Sequence, residues 1–413
     1  MSRIASFSLV ALAFLPGCEL IEEMSTTDTA STLSTADTGF VDEGPSGNGG
    51  GNNGNNGGNN GGGSNPGTSD DGDAGWTTRN HTCYGDGVDA MWIDDDGWSM
   101  FIGCGTNTEG YGLHYTPDRG ETWPDVNTDP RGAVGGRVNA ITRGSDGLLY
   151  VGGEGHIGAQ VVSVDTSVSP WSVDEVYDAG SSFSEVQLAG SFAINDDGMA
   201  VVEALNGTQI SVRWSPTSPW QDAAGWAGGA SVQMQDLEVF DNQFYGTGST
   251  MNQAPMVFLP PRNGHVEADG FNLVVVELSD YAQELRNMGI DDDGQLIVGG
   301  VDHGLASGVI YVSNDDPRDA DDWTEVYLMD FMAGTTWIDG VCRHGDVMAA
   351  VGRYSNNNDP IALLSEDGGL TWRDLTTELD SSWTPALYRC EFLDDGDTIA
   401  VAGGDGWLGF YER

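Results

Sequence analysis

Ser365-Glu-Asp-Gly-Gly-Leu-Thr-Trp372 is a stretch that specifies its own shape. It reads Ser-x-Asp-x-Gly-x-Thr-Trp. A short carboxylate accepts hydrogen bonds from the N–H groups of its own turn, and glycine takes positive φ without a steric cost. The tryptophan then opens the next strand and covers apolar surface. Thr116-Pro-Asp-Arg-Gly-Glu-Thr-Trp123 has the same form. Weaker versions run from Ser163-Val-Asp165 to Trp171, from Ser215 to Trp220 and from Ser313-Asn-Asp315 to Trp323.

A second marker keeps the same rhythm. Short turns between apolar runs occur at Asp94-Asp-Asp-Gly97, Ser145-Asp-Gly147, Asn195-Asp-Asp-Gly198, Asp241-Asn242, Asp291-Asp-Asp-Gly294, His344-Gly345 and Asp394-Asp-Gly396. They recur about every 50 residues, and Asp-Gly between apolar runs is a hairpin signal. Several of the following strands end in paired glycines: Gly152-Gly153, Gly299-Gly300 and Gly403-Gly404. No long helical pattern interrupts them; only Asp280–Met288 allows a short helical turn.

The two full copies resemble the Asp-box (BNR repeat), the turn between the third and fourth strands of a β-propeller blade. Sialidases, xyloglucanases, sortilin-type receptors and photosystem-II assembly-factor-like propellers carry it. The resemblance covers roughly residues 75–413. It implies structural turn roles for Thr116, Asp118, Gly120 and Trp123, and for Ser365, Asp367, Gly369 and Trp372. Four short strands per repeat predict an all-β fold, a seven-bladed β-propeller of four-stranded blades, preceded by a disordered Gly/Asn-rich linker. The last repeat reaches Arg413 without a fourth strand. Gly75-Trp-Thr-Thr-Arg79 resembles the strands that open at Trp323 and Trp372, so residues 75–80 are expected to complete the last blade and cover its edge.

The N-terminal 18 residues read as a lipoprotein signal peptide: Arg3, an apolar run over Ile4–Pro16, then Leu15-Pro-Gly-Cys18. This resembles a bacterial lipobox, which implies lipidation at Cys18. Glu19 after it implies the outer membrane or cell surface. Residues 19–74 are first Ser/Thr/Asp-rich and then almost wholly Gly and Asn, the composition of a flexible linker spanning about 40 Å. The propeller is expected over residues 75–413.

Formal net charge is −49, and all 15 basic residues are arginine. The absence of lysine excludes Schiff-base and P-loop chemistry, and so acidic a surface repels nucleic acid. Beside Cys18 stand Cys83, Cys104, Cys342 and Cys390, an even set in an exported chain. Placed on the repeat, they predict disulfides 83–104 and 342–390.

No Ser/His/Asp or Cys/His constellation falls into register, and the Arg-Ile-Pro motif of sialidases is missing. A glycoside hydrolase needs two carboxylates about a cleft, and 64 acidic residues supply pairs without meaning. No cofactor is expected. Asp94–Asp96 and Asp291–Asp293 offer oxygen to Ca2+, though aspartate suits such turns unaided. Arg131 and Arg137 are weighed as an anion site against ordinary ion pairs. Gly152-Gly-Glu-Gly-His156 and Gly299-Gly-Val-Asp-His303 place His and an acid at one repeat position. With these, the loop-rich face supplies candidate ligand contacts at Glu154, His156, Asp302, His303, Tyr354 and Trp407. The expected function is a tethered, monomeric, non-enzymatic binding or assembly module for an envelope or extracellular protein or glycan. Its membrane contact is through the lipid anchor alone. The alternative is a glycan-active hydrolase.

Overall fold

A computed structural model describes residues 75–80, 87–94, 96–104, 112–124, 137–154, 159–178, 189–204, 209–222, 232–250, 255–259, 274–278, 283–291, 293–314, 316–329, 336–379, 384–393 and 396–413. Cys18, Cys83, Arg131, His156 and the segments 1–18 and 19–74 lie outside them.

The chain forms successive antiparallel meanders. β1 (Gly75–Asn80) stands apart from its neighbours in sequence. β2 (Val88–Ile93), β3 (Met100–Cys104) and β4 (Gly112–Thr116) make one sheet. β5 (Val138–Arg143), β6 (Leu149–Glu154), β7 (Ala159–Asp165) and β8 (Ser172–Asp178) make the next. Then come β9 (Ala189–Ile194), β10 (Ala200–Ala204), β11 (Gln209–Arg213) and β12 (Gln221–Asp222). They are followed by β13 (Val232–Phe240), β14 (Gln243–Thr250), β15 (Pro255–Leu259) and β16 (Val274–Glu277). β17 (Gln283–Ile290), β18 (Leu296–Asp302), β19 (Ser307–Ser313) and β20 (Trp323–Met329) occupy the stretch that also allowed a helical turn. β21 (Thr336–His344), β22 (Val347–Tyr354), β23 (Pro360–Ser365) and β24 (Arg373–Asp374) precede β25 (Leu387–Leu393), β26 (Thr398–Gly403) and β27 (Trp407–Glu412).

The expectation of seven four-stranded blades is corrected. The described residues form six four-stranded blades; the sheet β2–β3–β4 has three strands. A proline stands at the corresponding position. Arg373 and Gln221, each just after a turn tryptophan, pair with the third strands of their blades. The residue after Trp123 is Pro124, which has no N–H to give a ladder.

β1 pairs with β27 over its whole length, from Gly75 opposite Glu412 to Asn80 opposite Trp407. Trp76 lies 5.2 Å from the Tyr411 ring and 6.0 Å from Trp407. The first described strand is thus the outer strand of the last blade.

The core lies between neighbouring sheets. Val88, Met100 and Ile102 pack against Ala400, Leu408 and Phe410, joining the three-stranded sheet to the last blade. On its other face Ala90, Phe101 and Leu113 pack against Val138, Val151 and Val162. Each sheet is apolar on both faces and requires neighbours on both sides, which closes the ring.

Every innermost strand carries a bulge at the same place. The unpaired residues are Asp89, Asn139, Gly190, Gln235, Arg286, Asp339 and Tyr388. The paired glycines stand opposite. Gly152 and Gly153 face Ala140 and Val138; Gly299 and Gly300 face Asn287 and Leu285. A Cβ on Gly300 runs into the Glu284 carbonyl, and one on Gly352 into the Trp337 carbonyl. Glycine is needed there because the bulge presses the neighbouring backbone close.

Candidate binding site at the channel mouth

The innermost strands β2, β5, β9, β13, β17, β21 and β25 surround a central channel of about 420 Å³. Their bulges lie near the ends where the chain enters each sheet. A bulge re-aims its side chain, and on β17, β21 and β25 the re-aimed residues meet.

Asp339 is the centre of that meeting. It is 6% exposed. Its carboxylate accepts a hydrogen bond from Arg286 Nη1 at 2.8 Å and makes an ion-pair contact with Arg353 Nε at 3.1 Å. The Asp339 carbonyl accepts from Arg389 Nη1 at 3.2 Å. Arg286 and Arg353 both stack on Trp337, 4.2 and 4.6 Å from its ring centroid. Arg353 also reaches Tyr388, with its guanidinium 5.2 Å from the ring and Nη1 3.4 Å from the hydroxyl. Glu284 pairs with Arg286 at 3.0 Å and with His303 at 3.4 Å. Trp337 Nε1 and the Nε of Arg286 are buried without a hydrogen-bond partner.

The channel below is stitched by side chains one residue past the bulge. The Asp236 carboxylate accepts from Met288 N–H at 3.0 Å, Asn287 Nδ2 at 2.7 Å and Leu237 N–H at 3.1 Å. Asn287 Oδ1 accepts from Val341 N–H at 2.7 Å. These bonds satisfy innermost-strand amides that no further strand covers.

Three of the carboxylates that line the channel are shifted the same way. Burial pushes Asp236 up to about 6 against the opposing pull of Arg389. Burial and then the Asp236 charge push Glu391 up to about 7. Glu238 is raised well above the ordinary glutamate value by burial, by Asp236 and by Glu391. The innermost strands wall the channel, and both glutamates remain exposed to solvent.

The expected contact residues fall into different places. His303 is exposed at the mouth and joins the arginine cluster through Glu284. Tyr354 ends β22, opposite Thr336, and packs partly buried against Ile338 and its neighbours. Asp302 is 2% exposed, accepts from Gln283 Nε2 at 2.8 Å and caps Leu305 N–H at 2.8 Å. Trp407 is 3% exposed and packs against Trp76. Glu154 ends β6, and its side chain lies outside the described residues together with His156.

The two full turns hold the same hydrogen bonds. Ser365 Oγ donates to Asp367 at 2.9 Å and accepts from Gly369 N–H; Asp367 accepts from Thr371 N–H and hydroxyl at 2.8 and 2.6 Å. Thr116, Asp118, Gly120 and Thr122 repeat this pattern. Bonds from the Thr371 hydroxyl and N–H hold the Asp367 carboxyl below its ordinary range. Trp372 closes the second turn by donating Nε1 to the Gly369 carbonyl, and Trp123 packs against the core that holds Met100 and Leu408.

Asp94 pairs with Arg143 at 2.7 Å, and Asp291 with Arg343 at 2.9 Å. Asp96 accepts from the N–H groups of Trp98 and Ser99, both at 2.7 Å. Their oxygens serve the turns and neighbouring arginines, and no metal-holding group occurs among the described residues. Arg137 is held by Asp89 in a two-pronged pair of 2.5 and 2.7 Å. Cys342 and Cys390 form a disulfide between adjacent innermost strands, with Cα atoms 5.8 Å apart. Cys104 is also disulfide-bonded.

Sequence reasoning did not find Arg286, Trp337, Asp339, Arg353 and Tyr388. A signal was present in the scarcity of arginine, since several of only 15 gather at one end of three strands.

No protein-family profile and no curated protein matches the chain. Solved structures do match. YCF48 bound to D1 peptide aligns with a TM-score of 0.54 and 17% identity, over 82% of this chain and 97% of that one. YCF48 from Cyanidioschyzon merolae aligns with a TM-score of 0.53 and 13% identity, over 82% and 99%. The extracellular domain of the hybrid two-component system BT4673 from B. thetaiotaomicron gives 0.54 and 12%, over 82% of this chain and 39% of that one. The shared property is the β-propeller fold.

Proposed function

We propose that this chain is a tethered β-propeller that binds a protein segment on the face carrying the channel mouth. One observation carries the reading: Arg286 and Arg353 stacked on Trp337, with Tyr388 beside them. Tryptophan, tyrosine and arginine are the residues that dominate binding energy at interfaces. Here they are preorganised by Asp339, so little side-chain entropy is lost on contact. YCF48, solved with a D1 peptide, supports a protein segment over a glycan as the partner class. The repeated hydrogen bonds at Asp118 and Asp367 support grouping the chain with Asp-box propellers, in which those turns are structural. Lipidation of Cys18 and a linker over residues 19–74 would hold the propeller at an outer-membrane or cell surface, with the partner in the envelope or outside it.

Glycan hydrolysis has less support. Such catalysis needs one protonated and one ionised carboxyl. Asp236, one of the channel carboxyls, is tied to the N–H groups of Met288 and Leu237 and to Asn287 Nδ2 and is not left free for a sugar.

The test is affinity capture from a native envelope extract with three baits: wild type, Trp337→Ala and Asp367→Asn. The reading expects a protein retained by wild type and Asp367→Asn and lost from Trp337→Ala. Equal retention by Trp337→Ala overturns it.

A further inference from the structure

The channel carries a chemistry that the mouth does not use. Counting from the bulges, Ala90, Ala140, Ser191, Asp236, Asn287 and Arg389 stand one residue in. Asp236 is fully engaged with β17 amides, as described above. Two residues deeper, the equivalent positions are Trp92, Thr142, Ala193, Glu238, Gly289 and Glu391, with Cys342 completing the level. Glu238 and Glu391 are the charged members of that level. They belong to β13 and β25, separated around the ring by β17 and β21 in one direction. Neither forms an ion pair or hydrogen bond with any described residue.

Other charges reach the channel from its walls. Arg389 enters from β25 but is bound to the carbonyls of Asp339 and Tyr388 at 3.2 and 3.0 Å. Asp291 of β17 and Arg343 of β21 neutralise each other at 2.9 Å, and His344 follows on β21. β2, β5 and β9 add no charged side chain to the lining. The level of Glu238 and Glu391 therefore holds two carboxyls without a paired cation among the described residues, Arg389 acting on Glu238 from a distance.

Two independent features make this more than an acidic cluster. Ser191 is 3% exposed and lines the channel, yet its Oγ has no hydrogen-bond partner. Asn139 Oδ1 lines it too and is also buried without a partner. Such orphan acceptors are rare in folded proteins. The rings of Trp92, Phe240 and Phe392 supply aromatic lining. Carboxylates, acceptor oxygens and aromatic faces together are the chemistry of an organic cation. The space of about 420 Å³ far exceeds a bare ion, and no metal-holding group occurs among the described residues.

We propose that the channel binds a primary ammonium or guanidinium group between Glu238 and Glu391. The group is either that of a free small molecule or the tip of a lysine or arginine side chain. This site is distinct from the Arg286–Trp337–Arg353 stack, so it stands or falls separately from the reading of the face. Binding a cation favours the ionised carboxylates. The glutamates whose protonation burial favours therefore release protons when it binds.

The test uses the full chain and isothermal titration at pH 7 in two buffers of different ionisation enthalpy. One probe is n-butylammonium; the other is an end-capped pentapeptide, Gly-Gly-Arg-Gly-Gly. The expected result is saturable binding of at least one probe, with proton release. Binding falls at least tenfold in Glu238→Gln and in Glu391→Gln and is unchanged in Glu175→Gln, an exposed outer-strand control. Binding of the amine indicates a free ligand, and binding of the peptide alone indicates a partner side chain. Thermal melts confirm that each variant is folded. Trp337→Ala retains the binding, which separates this site from the mouth. The proposal is overturned by no saturable binding, by equal binding in the glutamine variants, or by sodium competing as well as the amine at equal concentration.

Discussion

Arg286 Nη1 and Asp339 Oδ1 lie 2.8 Å apart, and each is the unpaired residue of its own strand's bulge. An irregularity repeated around the ring thus becomes a link between neighbouring blades and the footing of the mouth cluster. Removing the carboxylate leaves Arg286 and Arg353 crowded on Trp337 without their counter-charge. Asp339→Ala is expected to lose about 2 kcal/mol, the usual worth of hydrogen bonds to charged groups. Urea unfolding measures it; an unchanged midpoint would show that the cluster does not support the fold.

Gly352→Ala tests the bulge itself. The new methyl group meets the Trp337 carbonyl, and overpacking of this kind costs about 1–3 kcal/mol. The tryptophan moves with its backbone, so fluorescence of the mouth changes as well as stability. A variant as stable as wild type contradicts a rigid bulge.

Ring closure is read by truncation. A chain starting at Gly75 keeps β1, whereas one starting after Asn80 leaves the edge of β27 unpaired and uncovers Tyr411. The second melts lower and less cooperatively. Equal midpoints would mean that β1 adds nothing.

Acidity acts in two windows of opposite sign. The Asp367 carboxyl lies below its unfolded value, so its stabilisation is present above about pH 4 and lost as pH falls further. Glu238 and Glu391 lie above theirs. Their contribution is intact near pH 4 and is lost as pH rises, for Glu391 through about 7. The double variant Glu238→Gln, Glu391→Gln therefore melts with wild type at pH 4 and above it at pH 8. A constant gap across that range contradicts the enclosed-channel account.

The turn Ser365–Trp372 was legible because its bonds are local: the residues that accept and donate are within eight positions of one another. The glycine pairs were visible too, but their cause was not. A bulge belongs to two strands, and sequence shows the small residue without the backbone that presses on it. Trp407 and Asp302 show a related limit of spacing along the chain. Both sit at loop positions by repeat count, and only the packing of Trp76 and the bonds of Gln283 draw them inward. The mouth cluster was hidden because Arg286, Asp339 and Arg353 are joined by register across strands, not by spacing along one.

Hydrogen–deuterium exchange of the propeller, with and without its captured protein partner, locates the binding face most directly. The account predicts slowed exchange at residues 283–286, 336–339, 352–354 and 387–389, around Arg286, Trp337, Arg353 and Tyr388. Protection confined to the opposite turns, at 96–99 and 365–372, would contradict it.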